Sequence, residues 1–266
     1  SPFKNEKTPS FTVNDEKGFF HCFSTSEHGN IFDFLMKTQN LKFGEAVKTL
    51  ALQAGMRPYT FSKADEEREQ ALKDYTSLYS EYVNFYHNEL LNNPETKSSL
   101  DYLKNRKLTL ETIKNFKLGY VKKNSNIFEN LKKNFNEKIL KECGIFYFDE
   151  KKNIFVDRFR DRIIFPINSI SGSPIAIGGG IMQKNAFFAK YINSPETQFF
   201  KKGNNLYNID RARKLSNKIN QIFLVEGYMD VISLNNRGIE NCVANLGTAL
   251  TERQVAILNQ FFNEIV

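Results

Sequence analysis

The chain has 266 residues, 41% hydrophobic and 25% charged, with a formal net charge of +7; by the usual size of about 100–200 residues per domain it fits two globular units. Cys22, Cys143 and Cys242 lie far apart with no C-x-x-C pair, which argues against a disulfide framework and predicts a reducing, cytoplasmic setting. No apolar run approaches the roughly 18 residues of a membrane span, and SPFKNEKTPS is not the apolar core of a secretory signal, so a soluble chain with no membrane partner is expected.

In chain order, SFTVNDEKGFFHCF reads as a hairpin: Phe11 and Val13 alternate, a polar turn runs from Asn14 to Gly18, and Phe19, His21 and Phe23 share one face of the second strand. NIFDFLMK and FGEAVKTLALQ read as short helices, the second closed by Gly55 with Pro58 just beyond. Together they make a small domain over residues 1–61. SKADEEREQ, charged and poor in apolar residues, reads as a linker or an exposed helical start, and the linker is placed at 62–74. From Leu72, apolar residues recur at Tyr75, Tyr79, Tyr82, Val83, Tyr86 and Leu90, the spacing of a helix with one buried stripe.

ETKSSLDYLKNR, LTLETIKNF, IFENLKKNFN and EKILKECG predict four more helices. The texture then changes. FYFDEKKNIFV alternates about a polar turn, and DRIIFPIN and SPIAIGGGIM flank the turn SISG, which signals strands. DRARKLSNK reads as a helix, QIFLVEG as a buried strand, MDVISLNNRG as a helix, ENCVANLG as a strand, TERQVAILNQFF as a helix and NEIV as a strand. Strand and helix alternating in this way imply the start of a parallel sheet. The fold class is therefore α+β and α/β multidomain.

The positive charge is local. Between Lys151 and Lys218 basic residues outnumber acidic ones thirteen to four, and the rest of the chain is slightly acidic; such a surplus favours a polyanionic partner without identifying one. On a strand, Arg158, Arg160 and Arg162 would share one face, with Phe159 and Asp161 opposite, a row suited to phosphates. Alternatively, arginines on an edge strand only discourage unwanted pairing, with Asp161 bonded to a neighbour. Phe187, Phe188, Phe199 and Phe200 can stack on bases or belong to the core.

In open parallel sheets, ligands gather where strands end and helices begin. Glu226 stands at such a strand end, Gly227 lets the backbone turn, and Asp230 falls in the first helical turn. The other reading makes Asp230 a cap-type acid and Glu226 a solvated loop residue.

VEGYMDV followed by ANLGTALT, together with DRFRDRIIFPI, KYINSPETQFFKKGNNLY and the opening SPFKNEKTPSFTV with FHCF and EHGN, resembles the bacterial DNA primases, which make RNA primers for replication. The matches keep the family's order over nearly the whole chain. The resemblance implies a zinc-ribbon-like template-binding domain at 1–61, the linker at 62–74, the N-terminal subdomain of a primase catalytic core at 75–215, and a partial Toprim subdomain at 216–266. It implies a DNA-directed RNA polymerase acting on single-stranded DNA with ribonucleoside triphosphates, the alternative being a single-stranded nucleic-acid binding module without catalysis. Glu226 and Asp230 become catalytic residues, with Glu226 a ligand of Mg²⁺ (or Mn²⁺) or an acid–base group. Arg158, Arg160, Arg162, Lys190, Asn193, Lys201, Lys202, Gly247 and Thr248 become nucleic-acid or nucleotide contacts, and the turn Asn193-Ser194-Pro195-Glu196 is expected to fix Lys190. The family's Asp-x-Asp pair would follow the strand NEIV within a few residues, so the isolated chain is expected to be inactive. The replicative helicase is an expected partner of the full-length protein, through a C-terminal domain outside these residues.

Two departures stand out. The family commonly reads Gly-Gly-Arg where this chain has Gly178-Gly179-Gly180. The four zinc-ligand positions of the family fall on Ser1, Lys4, Cys22 and Thr25, of which only Cys22 is a ligand type. His21 and His28 are nearby, but on a strand His21 points away from Cys22. Tetrahedral structural zinc needs four N or S ligands, and neither a lysine ammonium nor a hydroxyl offers a comparable one, so zinc is expected to be absent, its place taken by packing among Phe3, Phe11, Phe19, Phe23 and Phe32.

Overall fold

The computed structural model describes residues 1–15, 18–56, 62–125, 127–183, 187–247 and 249–266. The chain divides into two compact units, Ser1–Gln70 and Ala71–Val266. No helix among the described residues is long and apolar enough to cross a membrane.

The first unit is an antiparallel meander, β1 (Phe11–Asn14), β2 (Phe19–Cys22) and β3 (His28–Asn30), followed by α1 (Ile31–Gln39) and α2 (Phe43–Gln53). A capping box starts α1: Asn30 Oδ1 accepts from the amides of Phe32 and Asp33 at 2.8 and 3.1 Å, while Asp33 Oδ2 accepts from the Asn30 amide at 2.9 Å. That box requires a glycine before it, because a Cβ on Gly29 would lie 2.4 Å from Asp33 Cβ. The buried face of β2 carries Phe20 and Cys22, whereas Phe19 and Phe23 are exposed. This inverts the expected face. A pair of adjacent phenylalanines leaves the phase of a short strand open, and a one-residue slip moves every side chain to the other face. The aromatic core is accordingly Phe3, Phe11, Phe20 and Phe34, with ring centroids 5.4–6.0 Å apart. Phe32 lies instead against Phe43 at 5.7 Å.

α3 (Lys63–Asn92) begins in the first unit and runs into the second, so the stretch 62–74 is helical from Lys63 onward. The second unit continues with α4 (Lys97–Asn105), α5 (Leu110–Asn115), β4 (Gly119–Val121), α6 (Phe128–Leu131), α7 (Glu137–Glu142), β5 (Phe146–Asp149) and β6 (Ile154–Asp157). It ends with β7 (Arg162–Asn168), β8 (Pro174–Gly180), β9 (Tyr191–Asn193), α8 (Ile209–Ala212), β10 (Gln221–Val225), α9 (Tyr228–Asn235), β11 (Cys242–Ala244), α10 (Glu252–Asn259) and β12 (Glu264–Ile265). Strands β4-β7-β8-β9 form an antiparallel sheet, β5-β6 a hairpin, and β11-β10-β12 a parallel sheet. The parallel sheet packs α9 residues Val231 and Ile232 into the main core on one side. Leu258 and Phe262, at and beyond the end of α10, join Ile209 of α8 in a second cluster with Ile222 and Val243. Strands β3, β4 and β9 are absent from the sequence reading, since three residues are too few to display alternation. DRARKLSNK yields only the four-residue α8 and one 3₁₀ turn.

The stripe on α3 is buried as its spacing predicts, and its tyrosines are buried with their hydroxyls bonded. Tyr75 donates to the Ile175 carbonyl at 2.9 Å and Tyr79 to the Cys143 carbonyl at 2.6 Å. Tyr82 and Tyr86 each donate to one oxygen of Asp157, both at 3.0 Å. The Phe159 amide donates to Asp157 Oδ1 at 2.8 Å. Burial is the largest influence on this carboxyl and, against those three donors, raises it from 3.8 to about 6. A pKa raised in the folded state means stabilisation that is complete below the unfolded value near 3.9 and lost as pH rises through the folded one. Relative to Asp157→Asn, the wild-type chain should therefore lose on the order of 3 kcal/mol between about pH 4 and pH 7. Urea titrations across that range check this, and two stability curves running parallel would contradict it.

Candidate functional site

The three arginines do not share a strand: Arg158 and Arg160 lie between two strands and only Arg162 begins one. β6 ends at Asp157 and β7 begins at Arg162, with a turn between them. Asp157 accepting the Phe159 amide is a local side-chain turn that overrides alternation. It drives Phe159 fully into the core and leaves Asp161 at φ +59°. The three arginines nonetheless line one cleft of about 700 Å³, together with Lys123, Tyr147 and Asp161. Arg158 Nε donates to the Gly144 carbonyl at 3.1 Å, and Arg160 Nη2 to the Tyr147 hydroxyl at 2.7 Å. Both guanidinium groups lie over the Tyr147 ring, at 5.7 and 6.0 Å from its centroid. Arg162 is buried and donates to the Ala189 carbonyl at 3.0 Å and the Lys190 carbonyl at 3.4 Å. Asp161 accepts from the Tyr120 hydroxyl at 2.7 Å, the neighbour pairing considered for it.

Lys190 is exposed, with its ammonium 5.4 Å from the Tyr191 ring centroid. Lys201 pairs with Glu196 at 3.5 Å, and the Lys202 amide donates to the same carboxylate at 2.9 Å. These contacts hold the Glu196 carboxyl below its usual range, the Lys202 amide foremost. The turn after β9 thus fixes Lys201 and Lys202 rather than Lys190. Phe200 is fully buried, Phe199 packs on Tyr75 at 5.0 Å, and Phe187 and Phe188 are exposed.

Glu226 and Asp230 are both exposed at the mouth of the parallel sheet. Glu226 follows β10, Gly227 is the N-cap of α9 in an extended conformation, and no side chain caps the helix. Asp230 Oδ2 leans over Gly227, 3.5 Å from where a Cβ would stand. Asp230 is therefore an acid of the first turn that does not cap. Exposed carboxylates beside a helix N-terminus and an open strand end are the donor type that a hard divalent cation takes while keeping several waters. In the loop after the neighbouring strand β11, Gly247 is exposed with open space around its α-carbon. Thr248 falls outside the described residues.

Three residues that position these loops went unnoticed in the sequence. Tyr228 is buried, stacked on Phe165 at 5.3 Å, and its hydroxyl donates to Asn193 Oδ1. Gln254 is fully buried and its Nε2 donates to the carbonyls of Lys202 and Asn205 and to Asn245 Oδ1, at 3.0, 2.8 and 3.0 Å. Thr251 donates to the Gly203 carbonyl at 2.6 Å. The one available signal was TERQ, a capping-box spacing that the helix uses. Glycines 178 and 179 seat rings on opposite faces of β8. A Cβ would lie 2.6 Å from Tyr228 at the first and 2.5 Å from Phe159 at the second.

Of the positions expected to align with zinc ligands, Ser1 and Cys22 belong to a hydroxyl-rich cluster. Cys22 Sγ is buried, 3.1 Å from Ser1 Oγ, 3.4 Å from Ser24 Oγ and 3.5 Å from Ser10 Oγ. Ser10 and Ser24 in turn donate to the Glu6 carboxylate at 2.8 and 2.6 Å. Desolvation, the largest influence, pushes the Cys22 thiol up, yet the hydroxyls of Ser1, Ser24, Thr25 and Ser10 together draw it down to about 5. His21 faces His28 across the strands, with ring centroids 6.0 Å apart. No group of three or more His, Cys, Asp or Glu side chains among the described residues could hold a metal ion. One thiol among hydroxyls is not the donor set of structural zinc.

Comparison with known proteins gives three family matches. They are to a CHC2 zinc finger over residues 1–67, to the N-terminal domain of the DNA primase catalytic core over 85–213, and to a Toprim domain over 220–266. A Toprim domain implies binding of a divalent metal. A DNA primase of Pseudomonas putida is 38% identical over 261 residues, 96% of this chain and 39% of its own length. The chain spans less than half the length of the curated relatives it matches. The crystal structure of an Aquifex aeolicus primase, comprising zinc-binding and RNA polymerase domains, aligns with a TM-score of 0.66 at 30% identity, covering all of this chain and 63% of that one. A primase catalytic domain solved bound to single-stranded DNA aligns with a TM-score of 0.67 at 31% identity, covering 74% of this chain and 61% of that one.

The ring seats give a direct test. Gly178→Ala forces the Tyr228 ring off β8 and should destabilise the second unit by about 1–3 kcal/mol. Thermal unfolding checks it, and an unchanged Tm would show that the ring has room.

Proposed function

Because the chain belongs to the bacterial DNA primase family, we propose that it carries the template and nucleotide surface of a DNA-directed RNA polymerase. Such an enzyme makes short RNA primers on single-stranded DNA from ribonucleoside triphosphates. The observation that supports this best is the short reach between the arginine cleft and the acidic strand end. Arg162 holds the Lys190 carbonyl, and three residues on, about 10 Å along a strand, Asn193 holds Tyr228, two residues from Glu226. A polyanion lying in the cleft and a nucleotide at the carboxylates would be neighbours.

In this reading Arg158 and Arg160 bind template phosphates through charge-assisted bonds, their forks kept in place by Gly144 and Tyr147. Arg162, committed to backbone carbonyls, shapes the cleft and adds field. Lys190, Lys201 and Lys202 extend the positive surface toward the nucleotide, and the exposed ion pair of Lys201 with Glu196 is weak enough to exchange for a phosphate. Gly247 lies on the strand-end loop after β11, where backbone amides can approach a phosphate, and Thr248 is assigned to the same contact by the family motif alone. Glu226 and Asp230 would hold the Mg²⁺ or Mn²⁺, which when bound neutralises the triphosphate and lowers the pKa of the primer hydroxyl. Glu226 serves as a metal ligand or as an acid–base group there. The bacterial cytoplasm is the matching compartment, and the replicative helicase is a partner through parts of the longer protein outside these residues.

Although residues 1–67 match a CHC2 zinc finger, we propose that the first unit binds no zinc, because its one buried thiol stands among hydroxyls. The Cys22, Ser10, Ser24 and Glu6 network and the Phe3, Phe11, Phe20 and Phe34 cluster stand where a metal would otherwise organise the strands. Elemental analysis of purified protein is expected to find well under one zinc per chain, with a Tm indifferent to EDTA; a stoichiometric metal content would refute this.

Primer synthesis by the full-length protein supplies the main test. Glu226→Gln should abolish RNA synthesis while leaving single-stranded DNA binding intact. Arg160→Ala should weaken DNA binding and make its salt dependence shallower by about one ion. Synthesis that survives Glu226→Gln would leave a binding module whose chemistry resides elsewhere.

A further inference from the structure

Asn193 ends β9, and both ends of its amide are engaged with the loops of the parallel sheet. Oδ1 accepts from the Tyr228 hydroxyl, and Nδ2 donates to the Leu246 carbonyl at 2.8 Å. Tyr228 comes directly after Glu226 and Gly227, and Leu246 directly before Gly247. The two loops leave β10 and β11, which are hydrogen-bonded neighbours. One amide therefore bridges both loops at the mouth of the sheet.

Its surroundings hold it still. Asn193 pairs with Gly178 of β8, and the following residue, Ser194, is fully buried and accepts from the Ile177 amide at 3.0 Å. Tyr228 lies flat on Phe165, meets Tyr207 edge-on at 4.8 Å, and occupies the space that the missing side chain of Gly178 leaves. A carboxamide alone offers an acceptor and a donor on one rigid plane. A carboxylate would turn lone pairs toward the Leu246 carbonyl, and an aliphatic isostere would serve neither partner.

We infer that Asn193, with Tyr228, is a positioning residue that sets the gap between the Glu226 loop and the Gly247 loop and does not itself bind the nucleotide. The inference rests on the primase reading above. It replaces the direct nucleotide contact expected for Asn193 from sequence.

The test uses the full-length protein with Asn193→Leu, Asn193→Asp, Tyr228→Phe and the double variant Tyr228→Phe/Asn193→Leu. Tyr228→Phe removes one hydroxyl and is the variant safest for folding, which circular dichroism verifies. Kcat should fall about 10–100-fold in each single variant, and the Mg²⁺ concentration for half-maximal rate should rise. Nucleotide KM should stay within about twofold, and the double variant should be no slower than the worse single one, as for two residues acting as a unit. A raised nucleotide KM with unchanged kcat and Mg²⁺ dependence would overturn the inference in favour of direct contact. Strictly additive losses would overturn the pairing with Tyr228. Glu226→Gln, run alongside, separates the two readings: activity there with loss at Asn193→Leu would overturn the primase assignment of the glutamate and leave the clamp standing.

Discussion

The carboxylate of Asp157, closed off from water and gripped by Tyr82, Tyr86 and the Phe159 amide, is the contact on which the second unit's working surface depends. Two of its donors belong to the long helix α3 and the third to the turn that bears the arginines. Without it, the turn has no reason to bury Phe159, and the guanidinium groups on either side of that ring would follow the pleat of an ordinary strand. A buried carboxylate of this kind is expensive, and three hydrogen bonds compensate it only in part. The cost is tolerated where it fixes the place of charge: Arg158 and Arg160 reach solvent because one acid does not.

The tyrosines of α3 follow the same logic. An apolar stripe of leucines would bury as much surface, but the four hydroxyls reach Ile175, Cys143 and Asp157, on three separate elements of the chain. Each ring contributes apolar area and each hydroxyl a direction. The helix thereby specifies the order of packing around it as well as supplying a surface to pack on.

Much of this was readable from residues alone, and the limits have physical causes. The α3 stripe, the strand and helix alternation after Gln221, and the strand-end position of Glu226 rest on periodicities that tertiary contacts reinforce. The arginine row misled because Asp157 substitutes a side-chain bond for the strand's own ladder, a competition invisible in the alternating pattern Arg-Phe-Arg-Asp-Arg. The β2 face misled because two adjacent phenylalanines satisfy either phase, and the packing of Phe20 against Phe3, Phe11 and Phe34 decides between them. Asn193 was expected to contact nucleic acid or nucleotide, but a motif does not reveal that both ends of its amide are engaged within the chain. Tyr228 and Gln254 act through partners fifty residues or so away or nearer thirty-five in sequence, which no local window contains.

Glycines 178 and 179 carry one last implication. Adjacent on β8, they face opposite sides of the sheet, and each yields its side-chain volume to an aromatic ring from a different part of the chain. Enlarging the first glycine is compatible only with shrinking Tyr228, and a smaller side chain there forfeits the hydroxyl that meets Asn193. Evolutionary drift at this spot is thus barred one step at a time: any lineage leaving the pair must cross an intermediate that is either overfilled or missing a tether. These two of the strand's three glycines are, for that reason, hard to exchange.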